Sequence, residues 1–148
     1  MLTEVAYCGL YCGLCAGRTR IPQEAARLRA ALRQEGYDQG YFGVLGLREV
    51  FPEFWQGLNC LADSPCPGCR AGGGIPGCPI RDCVQERAVD ACPLCADFPC
   101  ERLAMLGHYP TFESDGRRMQ AIGLEAWIAE QEARAAAGFV YADIRHPA

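Results

Sequence analysis

The chain has 148 residues, of which half are hydrophobic and 22% are charged, as in an ordinary globular domain. Its formal net charge is -4 and all 14 basic residues are arginines, which excludes lysine Schiff-base chemistry and a P-loop lysine. The negative charge disfavours a nucleic-acid partner. No apolar run approaches the roughly 20 residues of a membrane helix, and no signal-peptide pattern is visible. We therefore expect a cytoplasmic protein without membrane contact.

Eleven cysteines are the outlier in this composition. In a secreted chain they would indicate disulfides, whereas in a cytoplasmic chain they indicate metal or redox chemistry. Their odd number argues against a closed disulfide framework. They lie in two blocks, residues 6–17 and 60–100, on either side of a helical insert at 22–58. We expect the whole chain, 1–148, to form a single domain.

The first block, "AYCGLYCGLC", places Cys8, Cys12 and Cys15 at Cys-x3-Cys-x2-Cys spacing. Enzymes that split S-adenosylmethionine hold an iron–sulfur cluster with this spacing. Such an enzyme needs a barrel of repeated strand–helix units, and this chain has neither the length nor the alternation. We expect the first block to take a fourth ligand from the second, which would tie the N-terminus to the middle of the chain.

The insert predicts helices. In "IPQEAARLRAALRQEG", Pro22 suits the first turn, apolar residues recur at helical spacing, and Gly36 is a plausible end. In "YFGVLGLREVFPEFWQGL", apolar positions continue along one face from Val44 to Leu58. Because Pro52 interrupts this run, we expect two short helices there rather than one. The aromatic residues are interpreted as core.

The second block contains two Cys-x2-Cys pairs, "CPGC" and "CPLC", separated by 22 residues. The intervening turn directs both sulfurs of a pair to one side, which is typical of metal knuckles. "CPIRDC" and "FPC" add further thiols, "AGGGIPG" is a flexible turn, and "RDCVQERAV" and "CERLAML" predict short helical turns. The sequence thus predicts metal binding, with ten candidate ligands: Cys8, Cys12, Cys15, Cys66, Cys69, Cys78, Cys83, Cys92, Cys95 and Cys100.

The two remaining candidates, Cys60 and His108, are weaker. Cys60 lies outside the knuckles and is interpreted as a buried thiol, with a reactive thiol as the alternative. His108 and His146 are the only histidines; a turn histidine beside Tyr109 is the simpler interpretation of His108, with a metal ligand or base as the alternative. An enzymatic role is therefore not the leading hypothesis.

The C-terminal part predicts the longest helix, at about 114–137, in "SDGRRMQAIGLEAWIAEQEARAAAG". Ser114 is the candidate cap, Gly138 the end, and the predicted packing face holds Met119, Ile122, Ala126, Ala129 and Ala133. Its arginines are interpreted as a solvated face, with an anionic partner as the alternative. The tail "FVYADIRHPA" is expected to be extended.

The fold class predicted from these elements is a small α-rich, partly irregular metal-binding fold. Its helices surround cysteine knuckles, with little or no β-sheet. Zinc is the favoured metal, because two four-cysteine sites would use eight of the ten clustered thiols. An iron–sulfur cluster is the alternative, since the spacing of the first block and Cys-x4-Cys both suit one.

The pattern "YCGLYCGLC", "CPGCR" and "CPIRDC-x8-CPLCADFPCERL" resembles a family of cysteine-rich bacterial and archaeal proteins, domain-of-unknown-function family 3795. The resemblance covers residues 6 to about 106. Many relatives carry another cysteine a few residues before the position of Cys78, where this chain has "GGGIPG". The resemblance supports metal binding and implies no reaction.

These observations together predict a cytoplasmic zinc-binding protein whose metal is structural and which acts as a binding or interaction module for an unidentified protein partner. The alternative is an iron–sulfur protein with a redox or electron-transfer role.

Overall fold

The computed structural model describes residues 1–43, 46–106 and 111–145, and within these ranges the chain is helical and contains no β-strand. The described helices are α1 (Arg20–Gln34), α2 (Leu47–Asp63), α3 (Pro79–Glu86), α4 (Phe112–Ile122), α5 (Leu124–Ala136) and α6 (Ala142–Arg145). Short 3-10 turns and one isolated bridge between Val5 and Tyr11 complete the backbone pairing. The helix-rich prediction is confirmed. None of the described helices is long and apolar enough to cross a membrane.

The chain groups into two compact units. Residues 17–65 form the insert unit, and residues 1–16 with 66–148 form the cysteine unit. The second unit thus unites the two cysteine blocks, although the insert separates them in sequence.

The insert unit is a pair of packed helices, α1 and α2, with an aromatic cluster at its centre. Phe51 is buried, and its ring lies 5.4 Å from Trp55, 5.0 Å from Phe42 and 6.2 Å from Tyr37. Offset and edge-on ring pairs at such distances are favourable beyond the area they bury. The prediction that the aromatic residues are core holds for Phe51 and in part for Phe42 and Trp55, whereas Tyr41 and Phe54 are exposed. Helix α1 ends just before Gly36, as expected.

The predicted break at Pro52 is wrong, because α2 runs through it from Leu47 to Asp63. Pro52 lies only six positions into the helix, so its missing N–H removes one early backbone hydrogen bond, toward Arg48. Phe51 and Leu58, on either side of the proline, are both buried. Packing of this common face keeps the helix continuous. Val44, the first position of the predicted face, lies outside the described residues.

The cysteine unit has two small cores. One contains Trp127, Met119 and Leu14, all essentially inaccessible, together with Val5, Tyr11, Ala91 and Tyr141. The other consists of Ile80, Val84, Cys92, Phe98, Leu103 and Phe112. Cys8, Cys78 and Cys100 pack around the second core, so this core holds apolar side chains and thiols together.

The C-terminal helix is two helices, which corrects the prediction of one helix at 114–137. Gly123 separates α4 from α5 with φ 83° and ψ 160°, a conformation that only glycine adopts readily. The first helix begins after Thr111 rather than at Ser114, whose hydroxyl donates to the Thr111 carbonyl at 3.0 Å. The predicted end is confirmed, since Gly138 follows with φ 82°.

The break also changes which face of α5 is buried. Trp127 and Gln131 are the buried residues of α5, whereas the alanines of the predicted face are exposed: Ala126, Ala129 and Ala133. Because the non-helical dihedral angles of Gly123 interrupt the helix, the 3.6-residue periodicity of α4 does not continue into α5. The prediction of an extended tail is also wrong, because α6 follows Tyr141, whose N–H donates to the Leu14 carbonyl at 2.9 Å.

Candidate metal centre

Two of the Cys-x2-Cys pairs fold into single 3-10 turns. The turn Cys12–Leu14 closes with the N–H of Cys15 on the Cys12 carbonyl at 3.1 Å. The turn Cys92–Leu94 closes in the same way with Cys95, at 3.0 Å. In the second turn a proline follows the first cysteine, and its fixed φ suits the start of such a turn. The sequence pattern therefore produces the predicted knuckles.

The third pair, Cys66 and Cys69, is shaped by glycines. The Gly68 carbonyl accepts N–H groups from Ala71 at 3.1 Å and from Gly73 at 2.9 Å. A Cβ atom on Gly73 would lie 2.7 Å from the Cys66 Sγ and 2.9 Å from the Gly68 oxygen. The Gly-rich stretch is therefore a turn packed tightly against a thiol.

Helix α3 positions the next two cysteines. Cys78 is its N-cap residue, Pro79 occupies the first helical position, and Cys83 lies in the last turn. Ile80 and Val84 are buried in the second core. Their burial fixes the rotation of the helix and thereby the direction of both thiols.

The first block packs directly against the second. The Tyr7 carbonyl accepts the N–H of Cys92 at 2.8 Å. Gly9, with φ 91°, approaches Pro93 so closely that a Cβ would lie 2.4 Å from the proline Cγ. The Arg70 guanidinium stacks 4.4 Å from the centre of the Tyr7 ring and donates through Nε to the Val5 carbonyl at 2.7 Å. The two blocks are brought together, as the sequence predicted.

We define a first thiol group as Cys8 and the three cysteines whose charges act on it, Cys12, Cys69 and Cys78. Burial raises the pKa of Cys8 to about 12; the backbone N–H of Leu10 partly offsets this, and the charges of the other three cysteines raise it further. Like charges raise the pKa of a thiol appreciably only when they lie close to it. The group draws two members from each cysteine block.

Cys83, Cys92, Cys95 and Cys100 form the second thiol group, and all four line a cavity of about 260 Å³. Burial raises the pKa of Cys92 to about 11, and the charges of Cys100, Cys95 and Cys83 add to the effect. These thiols come from α3, from the turn Cys92–Leu94 and from the residue just before the 3-10 helix Glu101–Leu106. Four thiols from three backbone segments thus face one space.

One arginine contacts each thiol group: Arg81 lies in α3, and Arg87 is the C-cap residue of α3. Arg81 donates through Nη2 to the Cys69 Sγ at 3.6 Å, and Arg87 donates through Nη1 to the Cys95 Sγ at 3.1 Å. The pKa of each guanidinium is raised: that of Arg81 first by Cys69, and that of Arg87 first by Asp97 and then by Cys95. Sequence reasoning missed both arginines, although "CPIRDCVQER" places them three and four residues from a cysteine.

The remaining candidates are Cys15, Cys60, Cys66 and the two histidines. Cys66 packs on Gly73, Cys15 closes the first knuckle, and Cys60 lies exposed on α2, contrary to its interpretation as a buried thiol. His108 and His146 lie outside the described residues. All eleven cysteines carry thiols rather than disulfides. Within the described ranges, no three Cys, His, Asp or Glu side chains have the arrangement that holds a metal ion.

The donor chemistry nevertheless fits a thiophilic metal. Thiolate is the ligand of tetrahedral four-cysteine zinc sites and of iron–sulfur clusters, and each group supplies four sulfurs. The first group is defined by the charges that act on Cys8, and the second by those that act on Cys92 and by the cavity. Both donor sets are sulfur, whereas Mg²⁺ and Ca²⁺ prefer oxygen ligands.

The arginines of the C-terminal helices are paired with acidic groups. Arg117 binds Glu113 at 2.7 Å, and Arg118 binds Glu130 at 2.5 Å. Arg134 lies 3.4 Å from Asp115. The solvated, ion-paired face is therefore the interpretation that fits these helices.

Comparison with known proteins identifies one family. The family model described as "Protein of unknown function (DUF3795)" matches residues 4–105. The chain belongs to this family. The match spans both cysteine blocks and the insert between them, which confirms the resemblance drawn from the cysteine pattern. No curated protein and no solved structure matches the chain.

Proposed function

We propose that this protein binds zinc through two groups of four cysteine thiolates, and that the metal holds the cysteine unit in shape for binding a partner. The observation that carries the proposal is the cavity lined by Cys83, Cys92, Cys95 and Cys100. Four cysteines from three segments that line one cavity without a disulfide suit a shared metal better than chance packing.

The electrostatics of the groups support the proposal. Burial raises the pKa of Cys8 and of Cys92, and the charges of neighbouring cysteines add to this effect, so the thiolate forms are disfavoured without a metal. A divalent cation reverses this effect, because a coordinating thiol gives up its proton to the metal. The groups would then gain about 10 kcal/mol or more of folding free energy from the bound metal.

The chemistry of the lining favours a structural site over a catalytic one. A structural zinc has all four positions filled by protein, and each group offers four sulfurs for that purpose. The free thiols of the structure agree with a reducing, cytoplasmic setting. We therefore place the function in binding or interaction rather than in catalysis.

An iron–sulfur cluster at the second group is the second candidate, and the size of the cavity favours it. A zinc ion draws its sulfurs to about 2.3 Å and leaves no space between them. A cluster brings its own irons and sulfides and needs a chamber between the cysteines. The volume of about 260 Å³ beside these thiols offers such a chamber.

Single-cysteine variants test the proposal. We expect Cys92→Ser to lose one zinc per chain and Cys78→Ser to lose the other, with a lower thermal midpoint in both. Cys60→Ser, which changes an exposed cysteine of the insert unit, is the matched control and keeps the full zinc content. The measurement is zinc per chain by elemental analysis. Full zinc content in Cys92→Ser would remove the second group from the proposal.

A further inference from the structure

Two arginines, Arg81 in α3 and Arg87 at the C-cap of α3, each direct a guanidinium at one thiol group. The Arg87 Nη1 donates both to the Cys95 Sγ, at 3.1 Å, and to the Asp97 carboxylate, at 2.5 Å. The Arg81 Nη2 donates to the Cys69 Sγ, at 3.6 Å, and to the Gly73 carbonyl, at 2.5 Å. Each arginine is therefore held in place by an oxygen acceptor while it contacts a sulfur.

A guanidinium in this position favours a charged thiolate. Zinc held by four thiolates carries a net charge of -2, and a fixed cation at one sulfur compensates part of it. Hydrogen bonds to ionised acceptors are roughly twice as strong as those between neutral groups. Groups that hydrogen-bond to metal ligands typically change metal affinity by about 10–100-fold when they are removed.

The oxygen acceptors Asp97 and Gly73 hold the two arginines beside their sulfurs. Asp97 fixes Arg87 beside the cavity, and both residues line it together with Cys95. Gly74 leaves room for Arg81, since a Cβ on Gly74 would lie 3.3 Å from its Nη2. The described arginines of α4 are paired with carboxylates on helices α4 and α5.

We propose that Arg81 and Arg87 are positioning residues of the two metal sites, each stabilising the thiolates of its own group and so setting the zinc affinity of that group alone. The inference rests on the proposed function. It adds that two arginines tune the two sites separately: Arg81 of α3 acts through Cys69, and Arg87 at the C-cap of α3 acts through Cys95.

The test measures zinc affinity one site at a time. In the full-length Cys78→Ser protein, which retains the zinc of the second group, Arg87→Gln is expected to weaken zinc binding at least tenfold against a chromophoric chelator. Arg81→Gln is expected to leave that affinity unchanged. In the Cys92→Ser protein, which retains the zinc of the first group, Arg81→Gln is expected to weaken zinc binding at least tenfold. Arg87→Gln is expected to leave the zinc affinity of that protein unchanged. Arg117→Gln, which breaks an exposed ion pair on α4, is the matched control and is expected to change neither site.

Two further measurements separate positioning from a general loss of structure. Arg87→Lys keeps the charge without the planar fork and is expected to recover part of the affinity. The metal-free forms of Arg87→Gln and its parent are expected to unfold at the same urea concentration. Equal zinc affinity in Arg87→Gln and its parent, or equal weakening at both sites, would overturn the inference while leaving the proposed function intact. A wild-type chain that binds no zinc would overturn both.

Discussion

The two units of this chain are stabilised by different chemistry. The insert unit has a ring cluster centred on Phe51, and its single cysteine, Cys60, is exposed. The cysteine unit holds the other ten cysteines around two small cores, one of which includes the Cys92 thiol. The core of the first unit is therefore made of aromatic rings, whereas the core of the second includes thiols, where the proposed metal would contribute to stability.

Metal removal is expected to give the largest difference between the units. The two tryptophans report on them separately, because buried Trp127 lies in the cysteine unit and Trp55 in the insert unit. In the Trp55→Phe protein, a chelator should shift Trp127 emission to the red as about 10 kcal/mol of metal binding is lost. In the Trp127→Phe protein, the emission of Trp55 should stay unchanged. A red shift of Trp55 alone would reverse the comparison.

Truncation of the ring cluster is expected to affect the opposite unit. Phe51→Ala removes a buried ring with four aromatic neighbours and should lower the free energy of unfolding of the insert unit by about 3–5 kcal/mol. Urea unfolding followed through Trp55 measures the loss. Val50→Ala, an exposed neighbour in α2, is the control and should change little. Loss of zinc in Phe51→Ala would contradict independent stabilisation of the two units.

The contact between the two cysteine blocks can be tested at Gly9. Gly9→Ala places a Cβ 2.4 Å from the Pro93 Cγ at a positive φ, so we expect about 1–3 kcal/mol of destabilisation and weaker zinc retention. Gly138→Ala has a positive φ with open space around the new Cβ. It serves as the control for backbone strain alone and should retain zinc. Equal zinc retention by both variants would show that the contact is dispensable.

The smallest expected effect is a pH dependence of the insert unit. Two hydrogen bonds from Arg29 lower the pKa of Asp63 below its usual value. The pair therefore stabilises the folded state fully at pH values above the pKa that Asp63 has in the unfolded chain. This contribution is lost as the pH falls through the folded-state pKa. Asp63→Asn should therefore lower the urea midpoint slightly at pH 7 and not at pH 2. Glu53→Gln in the same helix is the control, and an equal loss at both pH values would contradict this account.

Much of the site could be predicted because cysteine spacing directly encodes local backbone geometry. A Cys-x2-Cys pair with a following proline makes a turn whose shape depends on few other residues, as Cys92 and Cys95 show. The helical insert was likewise predictable from periodicity. Family membership followed from the same spacing.

The errors arose where tertiary packing or a single backbone conformation decided the outcome. Pro52 does not end α2, because residues on both sides of it are buried on one face. Gly123 ends α4 because its dihedral angles are not helical. The sequence alone does not indicate whether a glycine inside a helical pattern adopts such a conformation. The division of the thiols into two groups of four also depended on long-range packing, since the charge of Cys78 acts on Cys8 although the two residues are far apart in sequence.

The measurement that tests the central claim most directly is the metal and sulfide content of the protein purified without oxygen. We expect a colourless protein with two zinc ions per chain, no iron and no acid-labile sulfide. A brown protein with iron and matching sulfide would contradict the zinc assignment and support the cluster at the cavity of Cys83, Cys92, Cys95 and Cys100. A protein without any metal would contradict the central claim itself.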